Sequence, residues 1–168
     1  QKSSRDELTS IKDWYWSDNK LYVYSANDPD NEFDNPGIEV TSRDQSIKQV
    51  NKDYIDYENI HVTKAVRGMR IWISDYCNLN TLNATYNYTT GIELLGTEYC
   101  NISDCYTHYN SILDHHGYGI YIGEYVADDD TKNNIIKDCK DIGSASGFGV
   151  GAWEDAPGIG TNNKFIGC

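Results

Sequence analysis

The sequence predicts an all-β chain wound as a solenoid of parallel strands, and three observations carry that expectation. First, an Asn stands before a core-phased apolar residue five times: Asn59-Ile60, Asn78-Leu79, Asn101-Ile102, Asn134-Ile135-Ile136 and Asn163-Lys164-Phe165. Their separations are 19, 23, 33 and 29 residues (59→78→101→134→163), and self-similarity at a period of about 20–50 residues marks stacked repeats. Second, a Gly followed by alternating apolar residues falls between them, in Gly91-Ile92-Glu93-Leu94, Gly119-Ile120-Tyr121-Ile122 and Gly149-Val150-Gly151-Ala152. Arg70-Ile71-Trp72-Ile73 reads as an earlier copy without the Gly. Third, the alternation inside each unit has a period of two, which belongs to strands and not to helices.

Taken in order, residues 1–53 form a segment that leads into the solenoid. Trp14-Tyr15-Trp16, the turn residues Ser17 to Lys20, and Leu21-Tyr22-Val23-Tyr24 predict a hairpin. An acidic stretch with Pro29 and Pro36 follows, then a strand over residues 37–41. Residues 54–168 carry the coils. The last unit stops at Cys168 without a following Gly-apolar strand, so the chain is expected to be truncated there, with further coils of its own beyond residue 168.

Stacked coils place equivalent residues about 4.8 Å apart. The alignment predicts one inner column of Ile60, Leu79, Ile102, Ile136 and Phe165. It predicts a second of Thr63, Leu82, Cys105, Cys139 and Cys168. Cys77 and Cys100 each precede a unit Asn, a placement that admits a disulfide between adjacent coils. Three sequons occur, at Asn83, Asn87 and Asn101. The first two lie in a turn region open to glycan, and the third belongs to the repeat motif.

Composition excludes several partners. The chain has 14 Lys and Arg against 26 Asp and Glu, a net charge of −12, which argues against nucleic acid and anionic membrane surfaces. No apolar run approaches the roughly 18 residues of a membrane span, so no membrane insertion is expected. The acidic clusters at residues 28–34 and 128–130 lack the ligand spacing of a calcium loop and read as solvated charge.

The segment Trp14-Tyr15-Trp16, Leu21-Tyr22-Val23-Tyr24, Asp28-Pro29, Gly37-Ile38-Glu39-Val40, leading into residues 54–62, resembles the opening of secreted right-handed parallel β-helix proteins of the pectate lyase-like superfamily. That resemblance implies a right-handed parallel β-helix, a secreted or cell-surface location and a polysaccharide partner. It carries over no catalytic residue, because the polygalacturonase pattern has only a partial echo in Asp114-His115-His116-Gly117.

Candidate site residues come instead from the repeat. Aligning residues 117–125 with 147–155 stacks Glu124 on Glu154, with Asp75 in the same column two coils earlier. Carboxylates on adjacent coils suit glycoside hydrolysis and, in the alternative, a calcium ion. His115 and His116 precede the same strand as candidate bases. Trp72, Tyr121 and Trp153 would offer sugar-stacking surface, and Arg70 sits in the one local basic patch with Lys64 and Arg67. Two classes follow: a secreted polysaccharide lyase or glycoside hydrolase, and a non-catalytic surface β-helix that binds glycan.

Overall fold

The structure is a computed structural model that describes residues 1–10, 13–18, 20–27, 43–110, 117–124, 131–152 and 162–168. The chain divides into two compact units, Gln1–Val40 and Thr41–Cys168. In the first, β1 (Trp14–Ser17) and β2 (Lys20–Val23) pair antiparallel, Trp14 opposite Val23. This is the expected hairpin, and its turn passes through Asp18 at φ +52°. Residues 37–41, expected as a strand, lie outside the described residues.

The second unit is all-β and built from parallel sheets in a β-helix-like arrangement. Its strands are β3 (Gln45–Val50), β4 (Asp56–Glu58), β5 (His61–Thr63), β6 (Arg67–Trp72), β7 (Asn78–Asn80), β8 (Asn83–Thr85), β9 (Ile92–Leu95) and β10 (Asn101–Ser103). They continue with β11 (Tyr106–His108), β12 (Ile120–Glu124), β13 (Ile135–Lys137), β14 (Lys140–Ile142), β15 (Phe148–Ala152) and β16 (Lys164–Ile166). Each pairs with the strand three places along the chain. Sheet I therefore runs β4-β7-β10-β13-β16, sheet II β5-β8-β11-β14 and sheet III β3-β6-β9-β12-β15. One passage through the three sheets is one turn of the repeat. A single buried cluster draws Leu79 and Ile102 from sheet I, Val62 and Ala84 from sheet II, and Met69, Ile71, Ile92 and Leu94 from sheet III.

The bends between sheets explain the repeat. Backbone φ is positive at Tyr54, Asn59 and Lys64, again at Tyr76, Thr81 and Tyr86, at Tyr99, Asp104 and Tyr109, and at Asn133, Asp138 and Gly143. Each series advances by five residues. Within a five-residue step the first residue takes the left-handed conformation and points out, the second points in, the third out, the fourth in and the fifth out. Left-handed backbone at a residue with a Cβ costs about 1–3 kcal/mol. Here the bend keeps its inter-turn hydrogen bond: Tyr76 N–H donates to the Glu98 carbonyl at 3.0 Å, and Thr81 N–H to Ser103 at 3.1 Å. The left-handed positions of the first bend follow each other by 22, 23, 34 and 29 residues (54→76→99→133→162). Residues 54–64, 76–86, 99–109 and 133–143 keep one spacing, so all variation in length falls on the side carried by sheet III.

This phase corrects the expected columns. Tyr57, not Ile60, pairs with Leu79, and the inner column of sheet I is Tyr57, Leu79, Ile102, Ile136 and Phe165. Ile60 stands one bend later with Leu82, Cys105, Cys139 and Cys168. Thr63 pairs with Thr85 and points outward. Asn134 is likewise not the counterpart of Asn101, which pairs with Ile135. An Asn-apolar dipeptide fits two phases of the five-residue step, bend-then-inward as in Asn59-Ile60 and outward-then-inward as in Asn78-Leu79. Sequence alone does not separate the two.

The second residue of each step forms a column of its own, and at two bends that column is polar. Asn110 Nδ2 donates to the Ala84 carbonyl at 2.8 Å, while its Oδ1 accepts from Asn87 N–H at 3.1 Å and Asn87 Nδ2 at 2.9 Å. At the other bend Cys77, Cys100, Asn134 and Asn163 follow one another. Cys77 N–H donates to Cys100 Sγ at 3.4 Å, Cys100 N–H to Asn134 Oδ1 at 2.8 Å, and Asn134 N–H to Asn163 Oδ1 at 3.0 Å. These side chains satisfy buried backbone amides that the turn leaves over. The Cys77 and Cys100 thiols are both free and buried, and burial, first among its causes, pushes Cys100 up to about 12. The same placement settles two sequons: Asn87 is fully buried, whereas Asn101 is exposed on sheet I.

The Gly motif is also a packing feature. A Cβ on Gly68 would meet the Gly91 carbonyl at 2.4 Å, and one on Gly91 the Gly119 carbonyl at 2.6 Å. Only glycine lets the turns stack at that point. The copy before Gly91 therefore begins at Gly68, two residues before Arg70. The copy after Gly119 begins at Gly147, since Ile120 pairs with Phe148.

Candidate functional site

The strands of sheet III are the longest in the repeat, and their outward side chains form rows across the sheet. One row is Lys48, Arg70, Glu93, Tyr121 and Gly149. Arg70 and Tyr121, both expected at the site, thus stand on either side of Glu93. Arg70 Nε donates to Glu93 Oε2 at 2.5 Å, and Arg67 Nε lies 3.5 Å from the same oxygen. Arg67 Nη1 also reaches Asp44 Oδ1 at 3.0 Å. Glu93 is 2% exposed and Arg70 8%, so a carboxylate is held away from water by two guanidinium groups, and each makes the burial of the other tolerable. Tyr121 is almost as buried. Burial, and after it the neighbouring Tyr118, Glu93 and Glu124, push its phenol up to about 12, so it keeps its proton and is unsuited to act as a base.

The other expected residues fall differently. Trp72 lies two positions along, in the row Val50, Trp72, Leu95, Gly123 and Gly151, with Lys48 Nζ 5.9 Å from its ring centre. It therefore does not share a row with Glu93 and Tyr121. Glu124 ends β12, is buried, and pairs with Ala152. The expected stacking of Glu124 on Glu154 required Ile120 opposite Val150. The register is two residues short of that: Ile120 pairs with Phe148, and Gly119 N–H donates to the Gly147 carbonyl at 2.6 Å. Glu154 itself, Trp153, His115 and His116 lie outside the described residues.

Asp75 belongs to another place. It precedes the first bend, in line with Asp53 and Glu98. Its Oδ1 accepts from Glu98 N–H at 2.8 Å, and its own N–H donates to Asp53 Oδ1 at 2.9 Å. Partial burial, then the charges of Glu98 and Asp53, raise its pKa. Lys132 Nζ sits 3.1 Å from Glu98 Oε1. Among the described residues no group of three or more His, Cys, Asp and Glu is arranged to hold a metal ion.

Beside Asp75 runs a feature that the sequence reading missed. Tyr54, Tyr76 and Tyr99, the outward residues of the first bend in three successive turns, stack ring on ring. Their centroids lie 5.0 and 5.2 Å apart, with planes within 4° and 7° of parallel. They remain 74%, 44% and 46% exposed. A second exposed pair, Tyr86 and Tyr109, stands at the third bend with centroids 5.7 Å apart and His108 against both rings. The available signal was the repeated Tyr-Cys-Asn of residues 76–78 and 99–101.

Comparison with known proteins returns no counterpart: no family model, no curated protein and no solved structure matches the chain.

Proposed function

We propose that the second unit is a right-handed parallel β-helix and that the protein is a polysaccharide-binding β-helix of the cell surface or extracellular space. The handedness follows from the strong preference of parallel strand crossovers for the right hand. The observation that carries the binding reading is the pair of exposed tyrosine columns, Tyr54–Tyr76–Tyr99 and Tyr86–Tyr109. Aromatic residues repeated once per turn along one direction suit a linear polymer that repeats along its own axis. The pectate lyase-like resemblance points to the same class of ligand. The experiment is affinity electrophoresis and pull-down of the whole chain on a polysaccharide panel, with and without calcium, alongside assays for reducing ends and unsaturated products. Retention without chain cleavage is the expected result. Failure to bind any polymer removes the reading.

A second reading, polysaccharide lyase or glycoside hydrolase, rests on one observation. Arg70, Glu93 and Tyr121 place a cation, a carboxylate and a phenol in a single row, with Glu124 at the end of the same strand as Tyr121. Arg70 is engaged by Glu93 and Tyr121 holds its proton, which makes this the weaker of the two. Cleavage of any polymer, abolished in Glu124→Gln or Tyr121→Phe, would replace binding by catalysis as the function.

A further inference from the structure

Resting on the polysaccharide-binding reading, we infer that the outer face of sheet I is the docking surface and that its ligand is an extended, uncharged glycan laid along the repeat axis. Two residues after each stacked tyrosine, Asp56, Asn78 and Asn101 pair strand to strand across β4, β7 and β10. All three are exposed. Asn101 Nδ2 donates to Asn78 Oδ1 at 3.1 Å, and Asn78 Nδ2 donates to Asp56 Oδ1 at 2.7 Å. An amide carries two N–H donors. Each Asn gives one to its neighbour and keeps the other for a ligand.

The row is therefore a polar chain with a direction, every donor facing the preceding turn and the Asp56 carboxylate closing it. Beside it the tyrosines cover each other's faces and offer their edges and hydroxyls instead. Each turn thus presents one phenol and one amide or carboxylate at the ring spacing of 5.0–5.2 Å. A pyranose in an extended chain presents hydroxyls and an apolar edge at a comparable advance. The pattern ends at β13 and β16, where Ile135 and Lys164 occupy the amide positions and Asn133 and Asn162 the bend.

Charge selects the class of glycan. Asp56 and Glu58 stand on this face, Asp53 and Asp75 beside it, and the whole chain carries −12. Over the turns that carry Tyr54 and Tyr76 a polyuronate or sulfated polymer would meet like charge, whereas a neutral polymer meets hydrogen-bonding groups. The exposed Lys137 and Lys164 stand on β13 and β16, beyond the end of the pattern.

The test uses the full chain with cellulose, chitin and a soluble β-1,3-glucan as neutral probes, and alginate and polygalacturonate as anionic ones. Binding to at least one neutral probe, weakened about threefold or more by Asn101→Ala and by Tyr76→Ala, is expected, as is little change on raising the salt concentration. Circular dichroism and Tm report whether each variant folds, and Asn101→Gln, which keeps an amide, is expected to retain more affinity than Asn101→Ala. Neutral-glycan binding that survives all these substitutions overturns the face assignment and leaves the broader reading standing. Preference for alginate or polygalacturonate overturns the ligand class. Absence of binding to every probe overturns both.

Discussion

The turns over residues 54–110 and the later ones described over 131–152 and 162–168 take one backbone path at their bends and line it differently. In the earlier turns the first bend carries Tyr54, Tyr76 and Tyr99 outside and Cys77 and Cys100 inside. In the later ones Asn133 and Asn162 stand outside and Asn134 and Asn163 inside. The left-handed conformation is common to all of them. The inner columns change only in part: Leu79, Ile102 and Ile136 of sheet I are all fully buried, whereas the inward position of sheet II runs Val62, Ala84, Thr107 and Asp141 and turns polar from β11 onward. The contrast teaches that the path is held by hydrogen bonds between turns. Side chains are free to vary wherever they preserve those bonds, so the exposed tyrosines of the earlier turns are extra to the path.

The sharpest way to break this comparison is in the core. Ile102→Ala removes a fully buried side chain and is expected to cost about 2–5 kcal/mol, read from urea denaturation. Ile136→Ala, its fully buried counterpart in the later turns, is expected to cost about as much. A loss at Ile136 less than half of that at Ile102 would mean that the two regions are packed differently.

Next come the polar columns. Asn110→Ala leaves the Ala84 carbonyl and the Asn87 amide without their partner inside the protein. About 2–3 kcal/mol is expected, with hydrogen exchange at Asn87 rising in step. A cost below about 0.5 kcal/mol would show that the column contributes nothing to the path.

Cys100→Asn sharpens the comparison by giving an earlier turn the later turn's residue. Asn134 accepts from Cys100 N–H and donates Nδ2 to the Thr97 carbonyl at 2.8 Å. An Asn at 100 would do the same with Cys77 N–H and the Ser74 carbonyl, which the Cys100 thiol now reaches at 3.4 Å. Tm is expected to hold or to rise, by up to about 1 kcal/mol of stability. A clear loss would separate the two regions after all.

The smallest effect is electrostatic. Asp75 has its pKa raised by partial burial and by Glu98 and Asp53. An acid whose folded pKa lies above its unfolded value of about 3.9 stabilises the fold below that value. The contribution is lost as pH rises through the folded pKa. Asp75→Asn, which retains an acceptor for Glu98 N–H, is expected to gain a few tenths of a kcal/mol at pH 7. The gain should vanish below about pH 4, measured as Tm against pH.

Much of the fold was readable before the structure. Period-two strands, the all-β class, parallel stacking and the column of Cys105, Cys139 and Cys168 all follow from spacing. Phase was harder to read, because Asn59-Ile60 and Asn78-Leu79 look alike while one sits on a bend and the other on a strand. Bends have no single residue signature here: tyrosine, asparagine, aspartate and glycine predominate, but lysine and threonine also adopt positive φ, since the inter-turn hydrogen bonds impose the conformation. Of the site, Tyr121 was set beside Glu93 because the Gly91 and Gly119 copies fix their register correctly, whereas Arg70 was named only from the basic patch with Lys64 and Arg67. Trp72, Asp75 and the Glu124–Glu154 pairing depended on Arg70 and Gly149 as the matching starts, and both of those were two residues out.

The fixed spacing within residues 54–64, 76–86, 99–109 and 133–143, against the free length of the sheet III side, has a consequence for how such a chain changes. A codon lost between residues 76 and 86 would turn every following side chain in that step from inside to outside and unseat the turns above and below it. A dozen codons gained between β11 and β12, or between β12 and β13, would leave each five-residue step untouched. The gene therefore has two permissive seams per turn, one on either side of the sheet III strand, where foreign peptide can be spliced at little thermodynamic risk.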